Sequence, residues 1–186
     1  GDLTLHKLLP ALYHLHRDGR LHADVRILAL ARKKLDRDGY LALAERHCRA
    51  QVARGDFSPD TWQAFAQRVD YFAMDASQRS DYLRLAQHLG QANGRVRVYY
   101  LATAPDLFEP IAANLESAGL AGDDARIVLE KPFGSDQRSA RELNALLGRI
   151  AGEEDVFRVD HFLGESMVSG LLTLRTANRV LERVWS

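Results

Sequence analysis

Lys131 combines a residue type and a position that could do chemistry. It follows the apolar run at residues 126–130 (RIVLE), which predicts a strand, and it precedes Pro132. A proline keeps the residue before it extended, so the lysine should point beyond the end of the strand. There its ammonium group could bind a phosphate or a hydroxyl, or assist a proton transfer. An ordinary surface lysine before a turn is the alternative that this spacing leaves open.

Asp160 and His161 form a second candidate pair, just after a predicted strand at residues 155–159 (DVFRV). A carboxylate can orient and charge-stabilise a histidine base, and a histidine can also bind phosphate. Neighbours on an extended strand point to opposite faces, so the pair can serve one pocket only if the strand ends there. Gly164 supports that end. A capping aspartate beside a half-buried histidine is the alternative.

The segment Arg32-Lys33-Lys34 is a third candidate, at the end of the apolar run 25–31 (VRILALA). In dinucleotide-binding folds, an acidic residue at this position holds the ribose 2′-hydroxyl of NAD, whereas a basic residue suits the 2′-phosphate of NADP. No carboxylate follows until Asp36. The segment therefore favours NADP, and a solvated basic helix start is the alternative.

Five predicted strands alternate with helices along the chain. This order indicates right-handed crossovers and the α/β class, with a Rossmann-like, doubly wound, mainly parallel sheet that lacks the usual first strand. Ligands of such sheets bind outside the carboxyl ends of the strands. The predicted strands are 25–31, 69–74, 96–102, 126–130 and 155–159; the predicted helices are 2–18 with a kink or a break at Pro10, 35–52, 60–68, 77–91, 106–118 with Asp106 as a candidate cap, 136–151 and 166–180.

Composition excludes several classes of function. The 186 residues, 46% of them hydrophobic and 27% charged, are typical of one globular domain. Because 25 basic residues balance 25 acidic ones, we expect no nucleic acid partner bound through bulk charge. No apolar run is long enough for a membrane span, and no histidine or cysteine spacing predicts a metal site. The single cysteine, Cys48, predicts a structural thiol and is typical of a cytoplasmic protein.

These motifs resemble glucose-6-phosphate dehydrogenase. The most specific blocks are RIVLEKPFGSDQRSARELN, FRVDHFLGESMV and LRTANRVLERVW. GDLTLHKLLPALY resembles the end of that family's glycine-rich turn and its first helix, and ILALARKKL resembles the segment with the 2′-phosphate-binding arginine. VYYLATAPDLF resembles its fourth strand. The resemblance spans nearly the whole chain.

The resemblance implies an oxidoreductase of the pentose phosphate pathway that oxidises glucose 6-phosphate to 6-phosphogluconolactone with NADP as hydride acceptor. It also assigns roles by matching positions: Gly1, Asp2 and Leu3 line the coenzyme turn, Arg32 holds the 2′-phosphate, Asp75 and Ala76 border the adenosine, Tyr100 lies near the coenzyme, Lys131 contacts coenzyme and sugar, Asp160 supports the catalytic histidine, and His161 binds the substrate phosphate.

Two of the departures from the family pattern, besides those at Lys33 and Thr176, lie in the DHFLGES block. Glu165 stands where the family has a substrate-binding lysine, and its carboxylate would repel a phosphate. Phe162 replaces the usual tyrosine and so loses a hydroxyl donor. We also expect a division of the chain: residues 1–165 as the NADP-binding domain, and residues 166–186 as the first helix of a C-terminal α+β substrate domain. The family's general-base histidine lies in that substrate domain, through which its members usually form dimers or tetramers.

Two other hypotheses stay open at this point. The glucose-fructose oxidoreductase and inositol dehydrogenase group also has EKP after its fifth strand, and it acts on unphosphorylated sugars or polyols. The third hypothesis is a degenerate, non-catalytic remnant that binds a nucleotide. Because the sequence lacks the general base and carries Glu165, we expect little turnover from this chain alone.

Overall fold

Strands and helices alternate in the computed structural model, which describes residues 4–53, 55–92, 94–134 and 136–160. The strands are β1 (Ile27–Ala31), β2 (Val69–Ala73), β3 (Arg97–Leu101), β4 (Ala125–Glu130) and β5 (Val156–Val159). The helices are α1 (Leu9–Arg17), α2 (Arg37–Gln51), α3 (Pro59–Ala66), α4 (Arg79–Leu89), α5 (Phe108–Ser117) and α6 (Gln137–Ile150). A π-helical turn (Thr4–Leu8) precedes α1, and 3₁₀ turns (Pro105–Leu107 and Glu153–Asp155) precede α5 and β5.

All strand pairs in the described part of the chain are parallel, as the alternating pattern predicts. β1 pairs with β2, and β3, β4 and β5 form a second sheet in that order. Over the same residues, β1 and β3 each pair on one side only. The doubly wound order places its first strand between the second and the fourth, which here are β1 and β3. Two sheets in place of one are therefore what a fold lacking that strand should show.

Each sheet has its own buried core. Tyr13, Cys48 and Phe65, all 0% exposed, belong to the core around β1 and β2, while Ile127 and Leu129 belong to the core around β3, β4 and β5. Leu28 of β1 and Phe72 of β2 pack against the second core, which joins the two. Burial raises the pKa of the Cys48 thiol to about 11, so it stays protonated at neutral pH. This fits the structural role predicted for Cys48.

Side-chain caps explain where several helices begin. The Asp36 carboxylate accepts a hydrogen bond of 2.8 Å from the Gly39 amide at the start of α2. Asp136 and Ser139 form a reciprocal capping box at the start of α6. Such caps satisfy amide groups that have no partner within the helix. The predicted starts of these helices at 35 and 136 therefore agree with the structure to within two residues.

One predicted helix cap is wrong, and one helix ends two residues earlier than predicted. Asp106 was expected to cap the helix after β3, but it lies inside the 3₁₀ turn, and α5 starts at Phe108 with no side-chain cap. The helix predicted to run to residue 91 ends at Leu89, because Gly90 turns the chain with a φ of 62°. Pro10 was expected to kink the first helix or to mark a break, and a break is found: α1 begins at Leu9 after the π-helical turn, with Pro10 in its first turn.

Gly134 packs the loop after β4 directly onto α6. Its φ is 119°, a backbone conformation that residues with a side chain rarely adopt. A Cβ atom there would also lie 2.6 Å from the Ala140 amide nitrogen and 2.8 Å from its Cα. Both atoms belong to helix backbone and cannot rotate away. The loop that begins at Lys131 therefore requires glycine at this position.

Substituting Gly134 with alanine should lower the free energy of unfolding by about 1–3 kcal/mol, the range for a strained backbone conformation. Gly148→Ala is the matched control, because Gly148 lies on the exposed side of α6, where an added Cβ atom would have no neighbour within 4 Å. That change should stabilise the domain by about 0.5–1 kcal/mol. Urea unfolding of both variants measures the difference; equal effects would contradict the tight contact.

Candidate functional site

Arg32 and Asp75 lie at the same edge of the two-stranded sheet. Ala31 is in register with Ala73, so the residues that follow these strands emerge side by side. The Asp75 carboxylate accepts hydrogen bonds from the Ser77 amide (3.0 Å) and hydroxyl (2.8 Å). These two bonds, amide first, lower the pKa of Asp75, and the positive charge of Arg32 adds to the shift. Asp75 is therefore an anion within electrostatic range of Arg32.

The backbone on either side of the Asp75 carboxylate is also fixed. The Asp75 amide donates a 2.8 Å hydrogen bond to the Asp81 carboxylate in α4. The Ala76 carbonyl accepts a 3.0 Å hydrogen bond from the Tyr82 hydroxyl. Asp75 and Ala76, both predicted to border a nucleotide, thus occupy a turn held by the first residues of α4. Asp81 was not predicted, since nothing in its sequence position indicates a bond to a residue six positions earlier.

Tyr100, Glu130, Lys131 and Asp160 come together at the edge of the three-stranded sheet. Tyr100 is in register with Val128, and Glu130 with Val159. The Tyr100 hydroxyl donates a short hydrogen bond to the Glu130 carboxylate. Burial, then this bond and the charge of Glu130, raise the pKa of Tyr100, so its hydroxyl stays protonated. Glu130 was missed by the sequence reasoning, although it ends β4 and Tyr100 lies one residue before the end of β3.

Lys131 forms an ion pair with Asp160. The Lys131 Nζ lies 2.5 Å from a carboxylate oxygen of Asp160. The Asp160 side chain is 19% exposed and the Lys131 side chain 57% exposed, so the lysine covers the aspartate and faces solvent. A lysine ammonium has three donors, and one carboxylate contact leaves others for a ligand with hydroxyl or phosphate oxygens. The structure thus joins two residues that the sequence indicated separately.

The remaining predicted site residues are distributed in two ways. Three residues follow the end of β1, and all three are exposed: Arg32, Lys33 and Lys34. Gly1, Asp2, Leu3, His161 and Glu165 lie outside the residues that the structure describes, as does the departure at Phe162. The described residues nevertheless include the carboxyl ends of β1, β2, β4 and β5, where the other candidate residues lie.

No group of three or more histidine, cysteine or acidic side chains in the described ranges could hold a metal ion. Within the same part of the chain, no helix is both long and apolar enough to cross a membrane.

Comparisons of the sequence and of the structure with known proteins agree on one family. The sequence profile described as "Glucose-6-phosphate dehydrogenase, NAD binding domain" matches residues 1–170. Glucose-6-phosphate 1-dehydrogenases of Rhizobium meliloti (strain 1021) and Zymomonas mobilis are 36% and 38% identical to the chain over 186 residues. The crystal structure of glucose-6-phosphate 1-dehydrogenase from Mycobacterium avium superposes with a TM-score of 0.83 at 37% identity, covering 100% of this chain and 39% of that one.

The similarity covers the whole of this chain but only part of its relatives. The alignments include 100% of the chain and 38% of the Rhizobium and Zymomonas proteins. The parallel strands, the similar proteins and the sequence profile all lead to one assignment. The chain belongs to the glucose-6-phosphate dehydrogenase family, within the part of those enzymes described as their NAD-binding domain.

Proposed function

We propose that this chain is the coenzyme-binding domain of an enzyme that oxidises glucose 6-phosphate at C1 to 6-phosphogluconolactone and transfers the hydride to NADP⁺. The observation that carries the proposal is the pairing of Lys131 with Asp160 at the ligand-facing edge of the sheet. A solved relative is described as glucose-6-phosphate dehydrogenase "in complex with its substrate glucose-6-phosphate"; it is 30% identical to the chain with a TM-score of 0.83.

The residues beyond β1 fit NADP better than NAD. Three exposed cations, Arg32, Lys33 and Lys34, follow the strand. The first carboxylate after them, Asp36, is engaged by the Gly39 amide as the cap of α2. It is therefore not placed to accept a hydrogen bond from a ribose 2′-hydroxyl, whereas a guanidinium suits a 2′-phosphate. NADP⁺, when bound, supplies the hydride acceptor, and Asp75 and Ala76 would border its adenosine.

The coenzyme's other contacts are assigned by position. Gly1, Asp2 and Leu3 would lie against its pyrophosphate, and Tyr100 would lie near it on β3. The Tyr100 hydroxyl is already directed to Glu130, so it would present its ring rather than a free donor.

Lys131 and Asp160 would hold the sugar and orient the reacting groups. The Lys131 ammonium would donate to oxygens of the sugar and the coenzyme, while Asp160 keeps that ammonium in place. Asp160 would also support a histidine base from the substrate domain, and His161 would bind the substrate phosphate. Glu165 would stand near that phosphate and weaken its binding. Residues 1–165 would form the coenzyme domain, and residues 166–186 would begin the substrate domain.

A dehydrogenase acting on unphosphorylated sugars is the second candidate, and Glu165 is the observation that favours it. A carboxylate in place of a lysine disfavours a phosphate and tolerates a hydroxyl. Steady-state assays with glucose and with glucose 6-phosphate separate the two candidates. A higher kcat/KM for glucose would select the second.

The cellular setting follows the family's pattern. We place the protein in the cytoplasm as a dimer or tetramer assembled through the substrate domain. The buried, protonated Cys48 thiol is compatible with a reducing compartment.

Arg32→Ala should weaken NADP⁺ binding by about 10- to 100-fold, the value of one charge-assisted hydrogen bond to a phosphate. NAD⁺ affinity should change by less than about 3-fold, because NAD⁺ lacks the 2′-phosphate. Titration calorimetry with both coenzymes measures this. Arg26→Ala is the control, since Arg26 lies before β1 and donates to the Ala23 and Val25 carbonyls. An equal loss for both coenzymes in Arg32→Ala would contradict the assignment.

Lys131→Met should lower kcat/KM for glucose 6-phosphate by about 100-fold or more in the full-length enzyme, because it removes a donor that stabilises the reacting oxygens. The formation of NADPH, followed by its absorbance, gives the rate. Arg138→Met removes one cation from the following helix, where the side chain is 88% exposed and pairs with Glu142. It should leave kcat/KM within about 2-fold of the parent, as surface ion pairs contribute little. A fully active Lys131→Met variant would exclude the proposed role.

A further inference from the structure

The two carbonyl groups that flank Arg32 both meet one buried hydroxyl. The Tyr71 hydroxyl of β2 donates to the Lys33 carbonyl at 2.5 Å and to the Ala31 carbonyl at 3.2 Å. Its single proton is thus shared between the 31–32 peptide group, directly before Arg32, and the 33–34 peptide group, one residue beyond Arg32. Tyr71 is in register with Ala29, so its ring extends along β1 to reach the point where the chain leaves the sheet.

Two backbone hydrogen bonds also hold residues 31–33. The Met74 amide donates to the Ala31 carbonyl at 2.9 Å, and the Leu35 amide donates to the Lys33 carbonyl at 3.0 Å. Asp36 then starts α2. The backbone between β1 and α2 is therefore tied to β2, while the side chains of Arg32, Lys33 and Lys34 are exposed on the outer side.

Tyr71 is itself held firmly. It is 8% exposed and stacks on Tyr40, with the ring centroids 4.6 Å apart and the planes inclined by 16°. Burial raises the pKa of Tyr71, so the hydroxyl remains a donor at neutral pH. The hydroxyl of Tyr40, in the same stack, is buried and has no hydrogen-bond partner among the described residues. Of the two stacked rings, Tyr71 is the one whose hydroxyl is hydrogen-bonded to residues 31 and 33 in this part of the chain.

We propose that Tyr71 is a positioning residue for coenzyme selectivity: its hydroxyl fixes the Ala31 and Lys33 carbonyl groups, which bracket the peptide bond between Arg32 and Lys33, and so directs the Arg32 guanidinium at the 2′-phosphate of the coenzyme. This inference rests on the NADP preference proposed above. An arginine on a fixed backbone loses less conformational freedom on binding a phosphate than one on a mobile turn. Without the hydroxyl, Arg32 keeps its charge but not its orientation, so the 2′-phosphate loses affinity and the rest of the nucleotide does not.

Two small ligands separate this effect from a general loss of structure. Adenosine 2′,5′-bisphosphate carries the 2′-phosphate, and adenosine 5′-monophosphate lacks it. The measured quantity is the ratio of their dissociation constants, determined by calorimetry on the full chain. In Tyr71→Phe the preference for the bisphosphate should fall by about 5- to 10-fold, with the monophosphate bound within about 2-fold of the parent. Tyr40→Phe removes the unpartnered hydroxyl of the same stack and should leave the ratio unchanged.

A third variant tests whether the donor itself is responsible. Replacing Tyr71 with p-aminophenylalanine keeps a donor at the same ring position and should restore the preference to within about 2-fold of the parent. Circular dichroism confirms folding in each variant.

The possible outcomes distinguish a failure of the Tyr71 role from a failure of the NADP preference on which it rests. A parent chain that binds both ligands equally would overturn both. A strong parent preference that Arg32→Ala abolishes and Tyr71→Phe retains would overturn only the role of Tyr71. Equal weakening of both ligands in Tyr71→Phe, or its failure to fold, would also overturn that role, because the hydroxyl would then support the whole domain.

Discussion

The parallel register of the strands is the constraint on which the candidate site depends. Side chains alternate between the two faces of a strand, so a slip of one residue would exchange every face. In β4 the register is fixed by Ala125, Ile127 and Leu129, each 0% exposed, which leaves Glu130 at the end of the strand beside the residues of β3 and β5. Apolar burial along the strand thus decides which polar groups meet at its end.

The charge of the candidate coenzyme site, at the carboxyl ends of β1 and β2, depends in turn on where the helices begin. Asp36 and Asp75 both follow the ends of strands that lie side by side. Asp36 accepts from the Gly39 amide at the start of α2, whereas Asp75 accepts hydrogen bonds from Ser77 and lies within electrostatic range of Arg32. The helix cap therefore engages the first carboxylate that follows the three cations of residues 32–34. Helix initiation and the proposed coenzyme preference would in this way be linked through one side chain.

The features that sequence could predict are those set by neighbouring residues. Apolar runs predicted each strand to within two residues, and the capping residues Asp36 and Asp136 fall at the predicted helix starts. Contacts between segments that are distant in the chain could not be predicted from the sequence. The bonds from Tyr71 to residues 31 and 33 span about forty positions and depend on the register of β1 and β2. The same holds for the Lys131–Asp160 pair, which required the register of β4 and β5.

Residues on the two sheets would have different roles in the proposed function. Arg32 follows β1, Tyr71 lies in β2 and Asp75 follows β2, and they would select the phosphorylated adenosine end of the coenzyme. Lys131 and Asp160 stand on the core of β3, β4 and β5, and would serve the reacting end. Leu28 and Phe72 connect the two by packing from the first sheet against the second core. A dinucleotide bound in an extended form would contact both groups of residues at once. We therefore infer that the apolar contact of Leu28 and Phe72 with the second core sets the distance between these two groups.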